Sequence, residues 1–200
     1  KIFASTINAY NTSFSDEHGL MKTYLLLFFL FPLFVCSQSN SLNFGTNNTL
    51  DVVTWNLEWF PKNGNITIDS LKSIIEKIDA DVYALQEIDN IGSFSVLKNQ
   101  LLGYSGLLKN TSNLNLAFLY KNSITVDSAY SILDDYDYVF AGRTPFVIDL
   151  NYNGMNISLF NNHFKCCGDG TLNTGDSSDE EYRRLQAMNY LKNYIDNNNC

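Results

Sequence analysis

Between Val52 and Ile88 the chain runs strand, helix, strand, and that order constrains its fold more than any other feature. Val52 to Asn56 is β-branched and aromatic, and the breakers Pro61 and Asn63-Gly64 follow it. Over 68–79, Ile68, Leu71, Ile74, Ile75 and Ile78 recur at helical spacing, with Thr67 or Asp69 placed to cap the helix. Asp81 to Ile88 then returns as a strand with Val82, Ala84 and Leu85 apolar. A helical crossover of this length joins two parallel strands of one sheet.

Downstream the pattern changes. A weaker helix is expected over 91–102, then strands at 104–108, 114–120, 124–133, 144–151 and 155–164. Asn153-Gly154 is a tight hairpin turn signal. Residues 165–178 form a loop rich in Gly, Asp, Ser and Thr. A helix over 179–196 opens with acids and carries Leu185, Met188 and Leu191 as its expected apolar face. No internal repeat is visible. A crossover, then a meander, then a helix predicts two sheets packed face to face with helices outside. At 200 residues and 45% hydrophobic, the chain can bury one substantial core.

Residues 21–37 read as a secretory signal peptide. Met21 opens it, Lys22 supplies the positive end, Tyr24 to Val35 is apolar, and Cys36-Ser37 offers small residues for cleavage. A dozen apolar residues are too few for a stable membrane span. Cys36 as a lipidation site is the competing reading, though Leu33-Phe34-Val35 matches a lipobox poorly. The expected division is 1–20 a doubtful leader upstream of the initiator Met, 21–37 the signal, 38–50 a polar linker and 51–200 the domain. Export would place the protein outside the cell, in a periplasm or at the cell surface. The remaining cysteines, Cys166, Cys167 and Cys200, would then meet an oxidising compartment. Neighbouring cysteines rarely bond to each other, so a bridge from one of the pair to Cys200 is expected. Zinc binding is the rival reading, but the pair lacks C-x-x-C spacing.

Formal net charge is −8, with no run of Lys or Arg. That argues against non-specific polyanion binding, which needs a basic surface. A phosphate-bearing substrate would need a cation or a few placed side chains.

Several residues stand where chemistry could sit. Glu87 ends an apolar strand; a solvated strand-end carboxylate is the bland alternative. Glu58 lies two residues after Asn56, so an extended segment would turn both to one face. Two acids and an amide suit a hard cation such as Mg²⁺. His163 is one of two histidines, and a lone histidine is more often a core or loop residue than a catalyst. Arg143 and Lys165 each read as a rim cation or a phosphate grip. Asp179, Glu180 and Glu181 suit a helix start. There is no P-loop, G-x-S-x-G or H-E-x-x-H.

The stretches TWNLEWF, DVYALQEI, LAFLYKN, RTPFVIDL and FNNHFK, in that order over 51–196, resemble the endonuclease/exonuclease/phosphatase superfamily with its deoxyribonuclease I-like fold. The resemblance implies an α/β four-layered sandwich of two mixed β-sheets flanked by helices, here incomplete at the C-terminus. It also implies divalent-metal-dependent hydrolysis of phosphodiesters, with Mg²⁺ as the ion and Mn²⁺ or Ca²⁺ as alternatives. By the same resemblance, Glu87 is the main metal ligand and Glu58 a second acidic one. Asn56, Arg143 and His163 are then the catalytic and phosphate-contacting residues. The substrate would be a phosphodiester, nucleic acid included, or a lipid or sugar phosphate. A non-catalytic surface binding module is the alternative from another class. The family's later Gly-Asp-x-Asn and Ser-Asp-His motifs do not occur in these 200 residues. Little activity is therefore expected of this form, because those motifs supply the groups that activate the water.

Overall fold

The computed structural model describes residues 48–198. The leader, the signal segment, nearly all of the linker, Cys36 and Cys200 lie outside the described residues. Among those described, no helix is long and apolar enough to cross a membrane.

The elements follow the expected order: β1 (Val52–Phe60), α1 (Asn65–Ile78), β2 (Val82–Ile88), α2 (Ile91–Gln100), β3 (Tyr104–Lys109), β4 (Asn115–Lys121) and β5 (Thr125–Ser131). After a short 3₁₀ turn at Asp134–Tyr136 come β6 (Phe146–Tyr152), β7 (Met155–Asn161) and α3 (Glu180–Asn198). One sheet runs β1-β2-β4-β3, with β1 and β2 parallel and the other pairs antiparallel. The described strands of the second sheet, β5-β6-β7, are all antiparallel. The first sheet is thus mixed as expected.

Strand parity builds the layers. On β2 and β4, Tyr83, Leu85, Ala117 and Leu119 turn outward, where α1 and α2 cover them with Ile68, Leu71, Ile75, Phe94 and Leu97. The alternate residues Val82, Ala84, Leu116 and Phe118 turn inward and meet Phe146, Ile148 and Leu150 of β6. Val147 points the other way, toward Leu191 of α3. Helix, sheet, sheet, helix is the four-layered sandwich. Each fully buried Phe or Leu between layers contributes about 1.5–3 kcal/mol.

Three local expectations need correction. First, α1 begins at Asn65, behind Gly64 (φ 59°), with no side-chain cap. Thr67 Oγ1 instead accepts from the Asn63 amide at 3.0 Å. Glycine tolerates the positive φ that ends the loop here, so the helix starts a turn earlier than the caps suggested. Second, the buried stripe of α3 is Arg183, Ala187 and Leu191, spaced four apart. Leu185 and Met188 lie off that stripe and are exposed. Third, β1 does not stay extended. Glu58 and Trp59 have φ 47° and 63°, and its register to β2 shifts between Asn56 and Phe60.

Candidate active site

A cleft of about 570 Å³ opens where β1, β2 and β7 end. Trp59, Glu87, Arg143, His163, Lys165 and Arg183 line it. Its volume is in the range of small-ligand sites.

Glu87 reaches the cleft through a kink in its strand. Tyr83 and Leu85 face α1 and α2, and simple alternation would send Glu87 there as well. Its φ of 61° and the β2–β4 register shift between Leu85 and Ile88 turn it aside, and Ile88 takes the helix-facing place. Bulges commonly re-aim side chains beside active sites. The Glu87 carboxylate accepts from Asn56 Nδ2 at 2.9 Å and from the Trp59 amide at 3.2 Å. His163 Nε2 stands 3.4 Å from Glu87 Oε1. Asn56 is itself oriented, because its Oδ1 accepts from the Glu58 amide at 2.9 Å.

His163 is held mostly out of water. Burial lowers its pKa from the usual value, Arg143 pushes the same way, and Glu87 opposes both. The imidazole is therefore neutral at pH 7, and its closeness to Glu87 is not an ion pair there. Among the described residues, its buried Nδ1 has no hydrogen-bond partner.

Arg143 is buried rather than on the rim, with only 5% of its surface exposed. Its Nε and Nη2 donate to the carbonyls of His163 and Phe164, each at 3.3 Å, so it fixes the backbone that carries the imidazole. Burial lowers its pKa and Arg183 adds to this, while Cys166 and Glu87 offset it. Arg183 donates to the Tyr138 carbonyl and lies 4.2 Å above the Tyr138 ring. Arg143, Lys165 and Arg183 thus gather in one cleft of a chain whose net charge is −8.

Glu58 is not brought into this group. Its side chain is 70% exposed and pairs with Lys62 at 2.5 Å. The left-handed backbone at Glu58 breaks the alternation that was expected to align it with Asn56.

Two residues that sequence reasoning missed hold the site in place. Gln86 and Asn161 are buried polar side chains between the sheets. Gln86 Nε2 donates to Asn161 Oδ1 at 2.7 Å and to the Ala84 carbonyl at 2.9 Å. Asn161 Nδ2 donates to the carbonyls of Leu85 and Ala117, both at 3.0 Å. Gln86 precedes Glu87, and Asn161 lies two residues before His163, so this junction sets the spacing of carboxylate and imidazole.

The comparisons agree with this architecture. The model of the endonuclease/exonuclease/phosphatase family matches residues 53–198. The chain belongs to that family. Its members are hydrolases acting on phosphodiesters, and they generally use divalent metals.

Several solved structures share the fold. A humanised TDP2 from D. rerio is 16% identical with a TM-score of 0.57, over 74% of this chain and 56% of that one. A D. rerio TDP2 complexed with a single-strand DNA product is 17% identical with a TM-score of 0.57, over 70% and 52%. An endonuclease/exonuclease/phosphatase family protein from Leptotrichia buccalis is 17% identical with a TM-score of 0.51, over 70% and 60%. The chain therefore spans little more than half the length of these proteins. No curated protein matches it.

Among the described residues, no three His, Cys, Asp or Glu side chains cluster as a metal cage. This family member nevertheless fits a hard cation at Glu87. Mg²⁺ takes one or two carboxylates and fills its remaining positions with water and substrate phosphate. One inward carboxylate oriented by an amide, in an open cleft, is such a donor set.

Proposed function

We propose that this chain carries the phosphate-gripping site of an exported, divalent-metal-dependent phosphodiesterase. The observation that carries the proposal is the meeting of Glu87, Asn56 and His163 at one end of the cleft. Glu87, oriented by Asn56, would hold Mg²⁺, with Mn²⁺ able to substitute. Such an ion, when bound, neutralises charge on the phosphate oxygens. Asn56 keeps the carboxylate from rotating. His163, neutral at pH 7, offers Nε2 to a phosphate oxygen or a leaving group. Arg143 holds the backbone of His163 and Phe164, and its charge makes the cleft attractive to an anion. The second acidic ligand expected at Glu58 would need that side chain to leave Lys62.

The cleft favours a single phosphate group over a long polyanion. Its cations are few and local, and the chain as a whole is acidic. A nucleic acid end, a lipid phosphodiester or a sugar phosphodiester meets that requirement. Export rests on the 21–37 segment, outside the described residues.

Mn²⁺ titration followed by water-proton relaxation tests the ion site without relying on turnover. Glu87→Gln should weaken binding at least about tenfold, and unchanged affinity would refute the assignment. Hydrolysis of a chromogenic phosphodiester by the 200-residue chain should be slow, because Gly-Asp-x-Asn and Ser-Asp-His are not in it. Robust, EDTA-sensitive turnover would overturn that expectation.

A further inference from the structure

The loop after β7 carries Cys166 and Cys167 side by side, both exposed and both free thiols. Their Sγ atoms are 2.8 Å apart, much nearer a disulfide's span of about 2.05 Å than two unlinked side chains need to come. An extended backbone would send neighbouring side chains to opposite sides. Here the chain turns instead, with φ 70° at Cys167 and φ 95° at Gly168.

That turn is built from outside. Arg184 Nη1 of α3 donates twice, to the Lys165 carbonyl at 3.0 Å and the Cys167 carbonyl at 2.8 Å. Glu181 Oε1 holds Arg184 Nη2 at 2.9 Å and accepts from the Gly170 amide at 2.9 Å. Gly168 suits the place beneath it, since its φ is positive and a Cβ there would collide with the Glu181 carboxylate. One arginine and one glutamate thus clamp the backbone on both sides of the pair, in the conformation that brings the sulfurs together.

We propose that Cys166 and Cys167 form a dithiol–disulfide site on the rim of the cleft, closing on each other rather than on Cys200. The oxidant is a small-molecule disulfide. The Cys166 thiolate attacks one of its sulfurs and expels a thiolate, leaving a mixed disulfide on Cys166. Cys167 gives its proton to the expelled thiolate and attacks the Cys166 sulfur. The second small molecule leaves as a thiolate, so the two protein sulfurs are oxidised and one external disulfide is reduced. Cys166 suits the attacking role, because its contact with Cys167 lowers its pKa and Lys165 and Arg143 add to that. Cys166 also lines the cleft beside Arg143. A thiolate there competes with substrate for the guanidinium, whereas the disulfide is neutral.

The test needs no turnover, so it is independent of the phosphodiesterase reading. The full chain is equilibrated with glutathione disulfide, alkylated under denaturing conditions and digested with trypsin. Cleavage after Lys165 and Arg183 releases both cysteines on one peptide, 166–183, while Cys200 leaves on 193–200. The expected result is peptide 166–183 two hydrogens lighter and unalkylated, converted to the doubly alkylated form only after reduction. Double alkylation without reduction, or a link from 166–183 to 193–200, overturns the proposal. In Cys167→Ser, glutathione should remain attached to Cys166; its absence overturns the assignment of Cys166 as the attacking thiol.

Discussion

Replacing Asn161 with alanine tests whether the polar junction between the sheets stabilises the fold and the site together. Asn161 is 1% exposed and makes three hydrogen bonds, to the Leu85 carbonyl, the Ala117 carbonyl and the Gln86 amide. A buried hydrogen bond contributes about 1 kcal/mol net, so losing all three costs about 3 kcal/mol. Gln86 keeps its bonds to Ala84 and Thr54, which limits the loss on that side. With a urea slope of about 2 kcal/mol/M for a small domain, the unfolding midpoint should fall by about 1.5 M. Asn162→Ala is the control next door. Asn162 makes one bond, to the Phe160 carbonyl at 3.1 Å, and its Oδ1 is buried without a partner. Removing an unsatisfied acceptor offsets the lost bond, so its midpoint should move by less than about 0.5 M. Equilibrium urea unfolding by tryptophan fluorescence reads both variants. Equal shifts, or an Asn161→Ala shift under about 0.3 M, would refute the idea that these amides join the sheets.

Two further predictions concern the cleft and its loop. His163 has a depressed pKa in the fold, so the unfolded chain takes up its proton first as pH falls below about 6.5. The stability this imparts is complete above that pH and is lost as pH falls toward the folded value. His163→Gln should therefore flatten the decline of the urea midpoint between pH 7.5 and 5.5, and an unchanged decline would contradict the burial argument. Gly168→Ala places a methyl against the Glu181 carboxylate at a positive φ, a strain of about 1–3 kcal/mol. The loop should leave Arg184, seen as faster proteolysis within 165–178 and a slower closure of the cysteine pair.

Much of the fold is legible in the sequence, because alternation and helical spacing are set by burial on one face. Every expected strand and helix is present, with ends displaced by a few residues. Asn153-Gly154 forms its turn with φ 52° and 81°. The site is less legible, for local reasons. Glu87 was found as a strand-end acid, yet its aim depends on a left-handed residue that composition does not reveal. The same kind of distortion sends Glu58 out to Lys62. Arg143 reads from the sequence as a rim cation or a phosphate grip, both exposed roles because arginine is seldom buried, and only tertiary packing brings the carbonyls of His163 and Phe164 to it. Gln86 and Asn161 did leave a signal. Gln86 shares the inward parity of Val82 and Ala84, and Asn161 that of Ile157 and Leu159. A polar residue on a core face demands a partner, and each of these is the other's.

The carboxylate and the imidazole come from different sheets, Glu87 from the first and His163 from the end of the second. Neither sheet alone presents both. Their approach therefore exists only once the two sheets have closed on each other, where the Phe118 and Phe146 rings meet at 5.5 Å between centroids. A spectroscopic probe on His163 would time that closure, and any ion that prefers the completed pair would draw an unfinished chain toward its final form.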